Sequence, residues 1–123
     1  MKSAGRAVWL HTFGCKANQY DTERMRQELE SRGARIVEDA AEADTAVLNT
    51  CTVTSRADAS ARRLVRKLGR EHPGLRVIVA GCSSALQAPA YRRMRGVAAA
   101  VEGHDPVAVA AAVAPEAALA ARD

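Results

Sequence analysis

Aromatic side chains are nearly absent from this 123-residue chain, which has one Trp, two Tyr and one Phe. The apolar content is still 48%, so the core must be built from Ala, Val, Leu and Ile. That composition suits short strands and close helix packing. No apolar run approaches the ~20 residues needed to span a bilayer. The opening MKSAGRAVWLHTFGC carries Lys2 and Arg6, but its apolar run is too short for a secretory leader. A cytoplasmic location is therefore expected. Cysteine is scarce too: Cys15, Cys51 and Cys82 are the whole set. An odd number excludes a complete set of disulfides, and no C-x2-C pair of the kind common in structural zinc sites occurs. The three histidines are scattered and form no catalytic set with a nucleophile. There are no internal repeats and no low-complexity linker. The length suits one domain, taken as residues 1–123, with 113–123 fraying at the end. The net charge of +4 permits contact with nucleic acid without requiring it.

What is present is an alternation of strand and helix patterns. RAVWLHTFG (Arg6 to Gly14) reads as a first strand. NQYDTERMRQELESRG (Asn18 to Gly33) reads as a helix capped by Asn18, with Met25 and Leu29 inward and Gly33 as its stop. ARIVE (Ala34 to Glu38) and DTAVLNT (Asp44 to Thr50) follow as strands. SRADASARRLVRKLGREH (Ser55 to His72) is the clearest helix. Ser55 with Asp58 resembles a capping box there, and Ala57, Ala61, Leu64, Val65 and Leu68 form its apolar face. LRVIVAG (Leu75 to Gly81) is a nearly continuous apolar strand, as expected where both faces are covered. Pro89 to Gly96 suits a short helix and Val97 to Gly103 a weak strand. Asp105-Pro106 starts a last helix, with a cap followed by a first-turn proline. The order predicts a three-layer α/β open sheet, mostly parallel and of about five strands, flavodoxin- or Rossmann-like. DAAEA, between the second and third strands, is too short for a full crossover helix. Either ARIVE lies antiparallel or at an edge, or a single helical turn serves as the crossover.

Each cysteine sits just past a strand: Cys15 after HTFG, Cys51 after AVLNT and Cys82 after VIVAG. In a parallel sheet these exits lie along one edge, where open α/β sheets bind ligands. Core packing gives no reason for three cysteines at equivalent positions, so a shared ligand site is expected. Soft thiolates select zinc, copper(I) or an iron–sulfur cluster. Zinc and clusters both usually take four protein ligands. On a cubane cluster, three cysteines would leave one iron open for chemistry. His11 and His104 are the histidines nearest this set. Lys16 and Arg56, together with the N-terminus of the second helix, place positive charge beside the thiols.

GCKANQYDTE (Gly14 to Glu23), NTCTVTSRADASAR (Asn49 to Arg62) and VIVAGC (Val77 to Cys82) together resemble the N-terminal domain of the radical-SAM methylthiotransferases. The first two are most similar to the branch acting on tRNA that carries threonylcarbamoyladenosine at position 37. The resemblance covers roughly Val8 to Ala112. It implies an auxiliary [4Fe–4S] cluster held by Cys15, Cys51 and Cys82. It also implies a separate domain with a second cluster, S-adenosylmethionine and a deoxyadenosyl radical, so that a methylthio group is added at adenine C2. The tRNA anticodon loop and the enzyme's remaining domains are the implied partners. No C-x3-C-x2-C occurs in this chain, so it is expected to be inactive alone. Ser83-Ser84-Ala85 stands where the family often has Tyr-Ala-Gln, which leaves any contact from that Tyr or Gln without a counterpart. A ribosomal-protein methylthiotransferase domain, or a stand-alone metal-binding or flavodoxin-like module, are the competing readings.

Asn18, Gln19, Asn49 and Thr50 flank the cysteines and are candidates for hydrogen bonds near the cluster, with helix capping as the plainer role for Asn18 and Gln19. Lys16, Arg56, Arg62, Arg63 and Arg66 are candidate contacts to RNA phosphates, against the plain alternative of a solvated helix face.

Overall fold

The sheet is built from five parallel strands in the order β2-β1-β3-β4-β5. In chain order these are β1 (Ala7–Thr12), β2 (Arg35–Val37), β3 (Thr45–Thr50), β4 (Arg76–Gly81) and β5 (Val97–Ala100). The helices are α1 (Lys16–Ser31), α2 (Ser55–Glu71) and α3 (Pro106–Val113), with a short helical segment at 88–92. The computed structural model describes residues 6–13, 16–50, 55–81, 88–103 and 105–113, and in residues 16–18 and 55–58 the backbone alone. The expected frayed tail lies outside the described residues.

Alternating side chains of the strands feed two cores. Val8, Val47, Ile78 and Ala80 pack beneath α1 and α3, against Met25, Leu29, Val109, Ala110 and Val113. Ala46, Leu48, Val77 and Val79 pack on the other face, against Ala61, Val65 and Leu68 of α2 and Ala88 and Tyr91 of the 88–92 segment. Because both faces of β3 and β4 are covered, every residue of β3 is buried, polar Thr45, Asn49 and Thr50 included, and β4 is buried from Val77 to Gly81, which explains its nearly continuous apolar run. The sheet thus has helical layers on both sides, as the sequence pattern predicts.

The short link between β2 and β3 has a geometric solution. β2 is an edge strand and is parallel, and the chain crosses β1 through one 3-10 turn, Ala40–Glu42. Ile36, Val8 and Thr45 lie level across the three strands. The crossover therefore travels sideways with almost no return along the strands, and a full helix is not needed. Asp39 caps the turn by accepting the Ala41 N–H at 3.0 Å. Asp44 then ties the amino ends of β1 and β3, its carboxylate accepting the Ala7 N–H at 3.0 Å.

Helix ends follow local chemistry with two corrections. Gly33, at φ +93, closes α1: its N–H reaches Glu30 O and the Ala34 N–H reaches Leu29 O at 3.0 Å each. Asp105 caps α3 by accepting the Val107 N–H at 3.0 Å. Asn18 is not the cap of α1, because the helix already begins at Lys16. Ser55 is likewise already helical, so the expected capping box with Asp58 does not start α2, and those side chains lie outside the described residues. Residue type suggests a cap, but the point at which the backbone turns off the sheet decides where the helix begins.

Candidate functional site

Strand order 2-1-3-4-5 places a topological switch point between β1 and β3, since the chain leaves them toward opposite faces. The carboxyl ends at this point are bound together by polar side chains. Thr22 of α1 accepts hydrogen bonds from the Thr12 hydroxyl at 2.7 Å and the Asn49 amide at 2.9 Å. The Phe13 N–H donates to Asn49 O at 2.9 Å. Thr22 uses its two acceptor sites to join α1, β1 and β3 directly below the edge. It was not a predicted site residue, although it lies within NQYDTE.

The ends of β3 and β4 are closer still. Thr50 and Gly81 are register partners, and the Thr50 hydroxyl donates to Ala80 O at 2.6 Å. Gly81 adopts φ +96, and a Cβ there would fall 2.4 Å from Thr50 O and 2.7 Å from Asn49 Oδ1. Only glycine fits this position, for reasons of both backbone conformation and space. Its N–H donates to Gly103 O at 2.7 Å, so the loop after β5 is pinned to the same corner. Gly81 is the second residue that sequence reasoning missed. The signal was a glycine closing an apolar strand in VIVAGC.

Cys15, Cys51, Cys82 and His104 lie outside the described residues, as do the side chains of Lys16, Asn18 and Arg56. Covalent connectivity fixes the starting points of the cysteine segments. Residue 51 directly follows Thr50, residue 82 directly follows Gly81, and residue 15 is three beyond Thr12. Among the described residues, no group of three or more His, Cys, Asp or Glu side chains is placed to hold a metal ion. Asn49 and Thr50 are buried at the edge and engaged in the bonds above, and Gln19 is exposed on α1. His11, on β1, lies between Trp9 and Phe13, tilted to the first and edge-to-face with the second, with ring centroids at 5.2 and 4.7 Å. Burial pushes its pKa below the usual histidine value, so the ring favours the neutral form.

The basic residues of α2 divide by environment. Arg62 is half-buried, its guanidinium 5.5 Å above the ring of the fully buried Tyr91. Arg63 and Arg66 are exposed. Arg63 makes only a long contact of 3.4 Å to Ser60 Oγ among the described residues.

The class defined so far is a doubly wound α/β domain whose thiol-bearing segments all leave one edge of the sheet. The chain belongs to the family described as Uncharacterized protein family UPF0004, whose model matches residues 7–103. Among curated proteins it is 41% identical over 86 residues to a tRNA-2-methylthio-N(6)-dimethylallyladenosine synthase of Thermodesulfovibrio yellowstonii, covering 68% of this chain and 20% of that one. It is 38% identical over 86 residues to the threonylcarbamoyladenosine tRNA methylthiotransferase MtaB of Rickettsia prowazekii, covering 70% and 18%. MtaB of Bacillus subtilis is 39% identical over 75 residues, covering 61% and 17%. The chain thus spans about a fifth of the length of these relatives. Among the described residues, no helix is long and apolar enough to cross a membrane.

Proposed function

We propose that this chain is the cluster-binding N-terminal domain of a cytoplasmic tRNA methylthiotransferase acting at C2 of N6-threonylcarbamoyladenosine 37. Cys15, Cys51 and Cys82 are the thiolate ligands of its auxiliary [4Fe–4S] cluster. The observation that carries the reading is the Thr50–Gly81 contact, which joins the strand ends preceding Cys51 and Cys82 more tightly than any residue but glycine permits. Neighbouring strands lie ~4.8 Å apart, so two thiol-bearing segments start within one strand spacing. The third starts from β1, bound to β3 through Thr12, Thr22 and Asn49. Zinc and clusters both usually take four protein ligands, so the number of thiols does not choose between them; the resemblance of the three cysteine motifs to the methylthiotransferases supports the cluster. When bound, the cluster supplies an iron free of protein ligands at which sulfur is carried.

The chain's own part is to hold and shield. Asn49, Thr50 and Thr22 fix the backbone beneath the ligands, and the N-terminus of α2 favours thiolate over thiol at Cys51. Lys16, Arg56, Arg62, Arg63 and Arg66 offer positive charge to the tRNA anticodon stem and loop. S-adenosylmethionine and a second cluster belong to a radical-SAM domain outside this chain, so the chain alone is inactive. The motifs KANQYDTE and NTCTVT support the threonylcarbamoyl substrate. The 41% and 38% identities do not separate that branch from the dimethylallyl one, which is the second reading.

Anaerobic reconstitution with iron and sulfide tests the site. About four irons per chain are expected, with uptake lost in Cys51→Ala. Stoichiometric zinc binding without iron uptake would overturn the assignment. The substrate is tested with the full enzyme on tRNA bearing either modification, and methylthiolation of the dimethylallyl form alone would move it to the second branch.

A further inference from the structure

The C-terminal half of α2 carries a feature that the cluster edge does not explain. Arg66, Gly69, Arg70, Met94 and Arg95 line a groove of about 400 Å³ between the helix and the turn before β5. Pro73 and Gly96 extend it, and a second hollow lined by Arg63, Arg66, Lys67 and Arg70 adjoins it. Two glycines meet where the helix and the turn come together, and the second turns the chain there with a positive φ. A Cβ on Gly69 would lie 3.5 Å from Arg95 O, and one on Gly96, at φ +90, would lie 3.9 Å from the Gly69 Cα. Arg66, Arg70 and Arg95 are exposed and make no ion pair among the described residues. Glu71, the acidic residue in this half of the helix, does not line the groove. Three unneutralised guanidiniums sharing one concave surface are a phosphodiester-binding arrangement.

Its position gives it a separate role. α2 starts on the carboxyl side of the sheet, after β3, and ends just before β4 begins, so its last turns lie at the amino edge. At 1.5 Å per residue, Arg66 and Arg70 stand roughly 17 and 23 Å along the helix from its start. We propose that this groove holds backbone phosphates of the RNA stem, while the loop reaches the cysteine-bearing edge. The assignment rests on the tRNA reading above and adds Arg70 and Arg95 to the predicted contacts.

The test is the salt dependence of binding of an anticodon stem-loop RNA to the 123-residue chain, wild type against Arg66→Gln/Arg70→Gln/Arg95→Gln, with Arg35→Gln on the far edge strand as control. Each phosphate contact on a duplex contributes about 0.9 to the slope of log affinity against log salt. The triple variant should therefore flatten the slope by about 2.7, and the control should leave it unchanged. Lysine at the same three positions should restore it. With a shortened stem, the wild-type slope should already be flatter and the triple variant should change it little. An unchanged slope in the triple variant, or an equal loss on the shortened stem, overturns the groove. Wild type that fails to bind RNA at low salt overturns the tRNA reading as well. Iron uptake, measured in parallel, should equal wild type in the triple variant, which shows that the variant is folded.

Discussion

Helices α1 and α2 are nearly equal in length and bury comparable inner faces, yet their outer faces follow opposite rules. On α1 the charges are mixed and engaged with one another. Arg26 pairs with Glu23 and with Glu30, and Arg32, just past the helix end, pairs with Glu28 at 2.8 Å. On α2, Arg63, Arg66, Lys67 and Arg70 present one sign, with only Glu71 opposing them among the described side chains. Partners four residues apart would have been simple to encode on α2, as they are on α1. A helix that carries self-repelling charge gives up a few tenths of a kcal/mol per like pair. It gains a surface that attracts a polyanion, which a mixed face does not. The molecule is therefore electrostatically two-sided: the α1 side is neutralised, and the α2 side is left positive.

Predictions that break or sharpen this comparison can be ranked by size. The largest effect falls on the strand edge shared by both sides. Gly81→Ala forces a side chain onto a positive φ and against Thr50 O, and should cost about 3 kcal/mol or more in chemical denaturation. Iron uptake should fall with it. Next come the inner faces, where the helices should behave alike. Leu29→Ala on α1 and Leu68→Ala on α2 should each cost about 3 kcal/mol in the same experiment. A large inequality would mean that the two layers differ in packing and not only in charge.

The outer faces should diverge in sign. Arg66→Glu installs a favourable pair with Arg70 and should raise stability by a few tenths of a kcal/mol while weakening RNA binding. Arg26→Glu removes two pairs from α1 and sets three acids together, so its thermal midpoint should fall while RNA affinity barely changes. The smallest contrast is with pH. His11 lies on the α2 side of β1, and its burial depresses the folded-state pKa. The unfolded chain binds that proton more readily, so stability should be complete above the ordinary histidine pKa of about 6.5 and decline as pH falls below it. Replacing His11 with Phe should flatten denaturation midpoints across that window. An unchanged slope would show that another group governs it.

Much of the architecture was legible in residue patterns. The nearly continuous apolar run LRVIVAG reads as a strand covered on both faces, and Asp105-Pro106 and Gly33 marked helix ends by chemistry that acts within a few residues. The cysteines' common address after strands was also readable, because it depends on order along the chain. Asn18 and Ser55 misled because a capping residue type is common and the cap position is set by the sheet. Thr22 and Gly81 were missed for a different reason. Thr22 meets Thr12 and Asn49 across 10 and 27 residues of sequence. Gly81 is required by the approach of Thr50, a strand neighbour far away in the chain. No local pattern encodes either.

The sequence by itself determined which faces are apolar, where the strands and helices lie, and that three thiols follow three strands. Those properties come from side-chain chemistry and short-range periodicity. The tertiary structure decided the rest: β2 at the edge behind a single 3-10 turn, the 2-1-3-4-5 order with its switch point between β1 and β3, and the Gly81–Thr50 contact at the edge. It also decided that Arg95, from a turn before β5, lines one groove with Arg66 and Arg70 of α2. Parallel pairing joins segments far apart in sequence, and their partners are chosen by packing on both faces of the sheet at once.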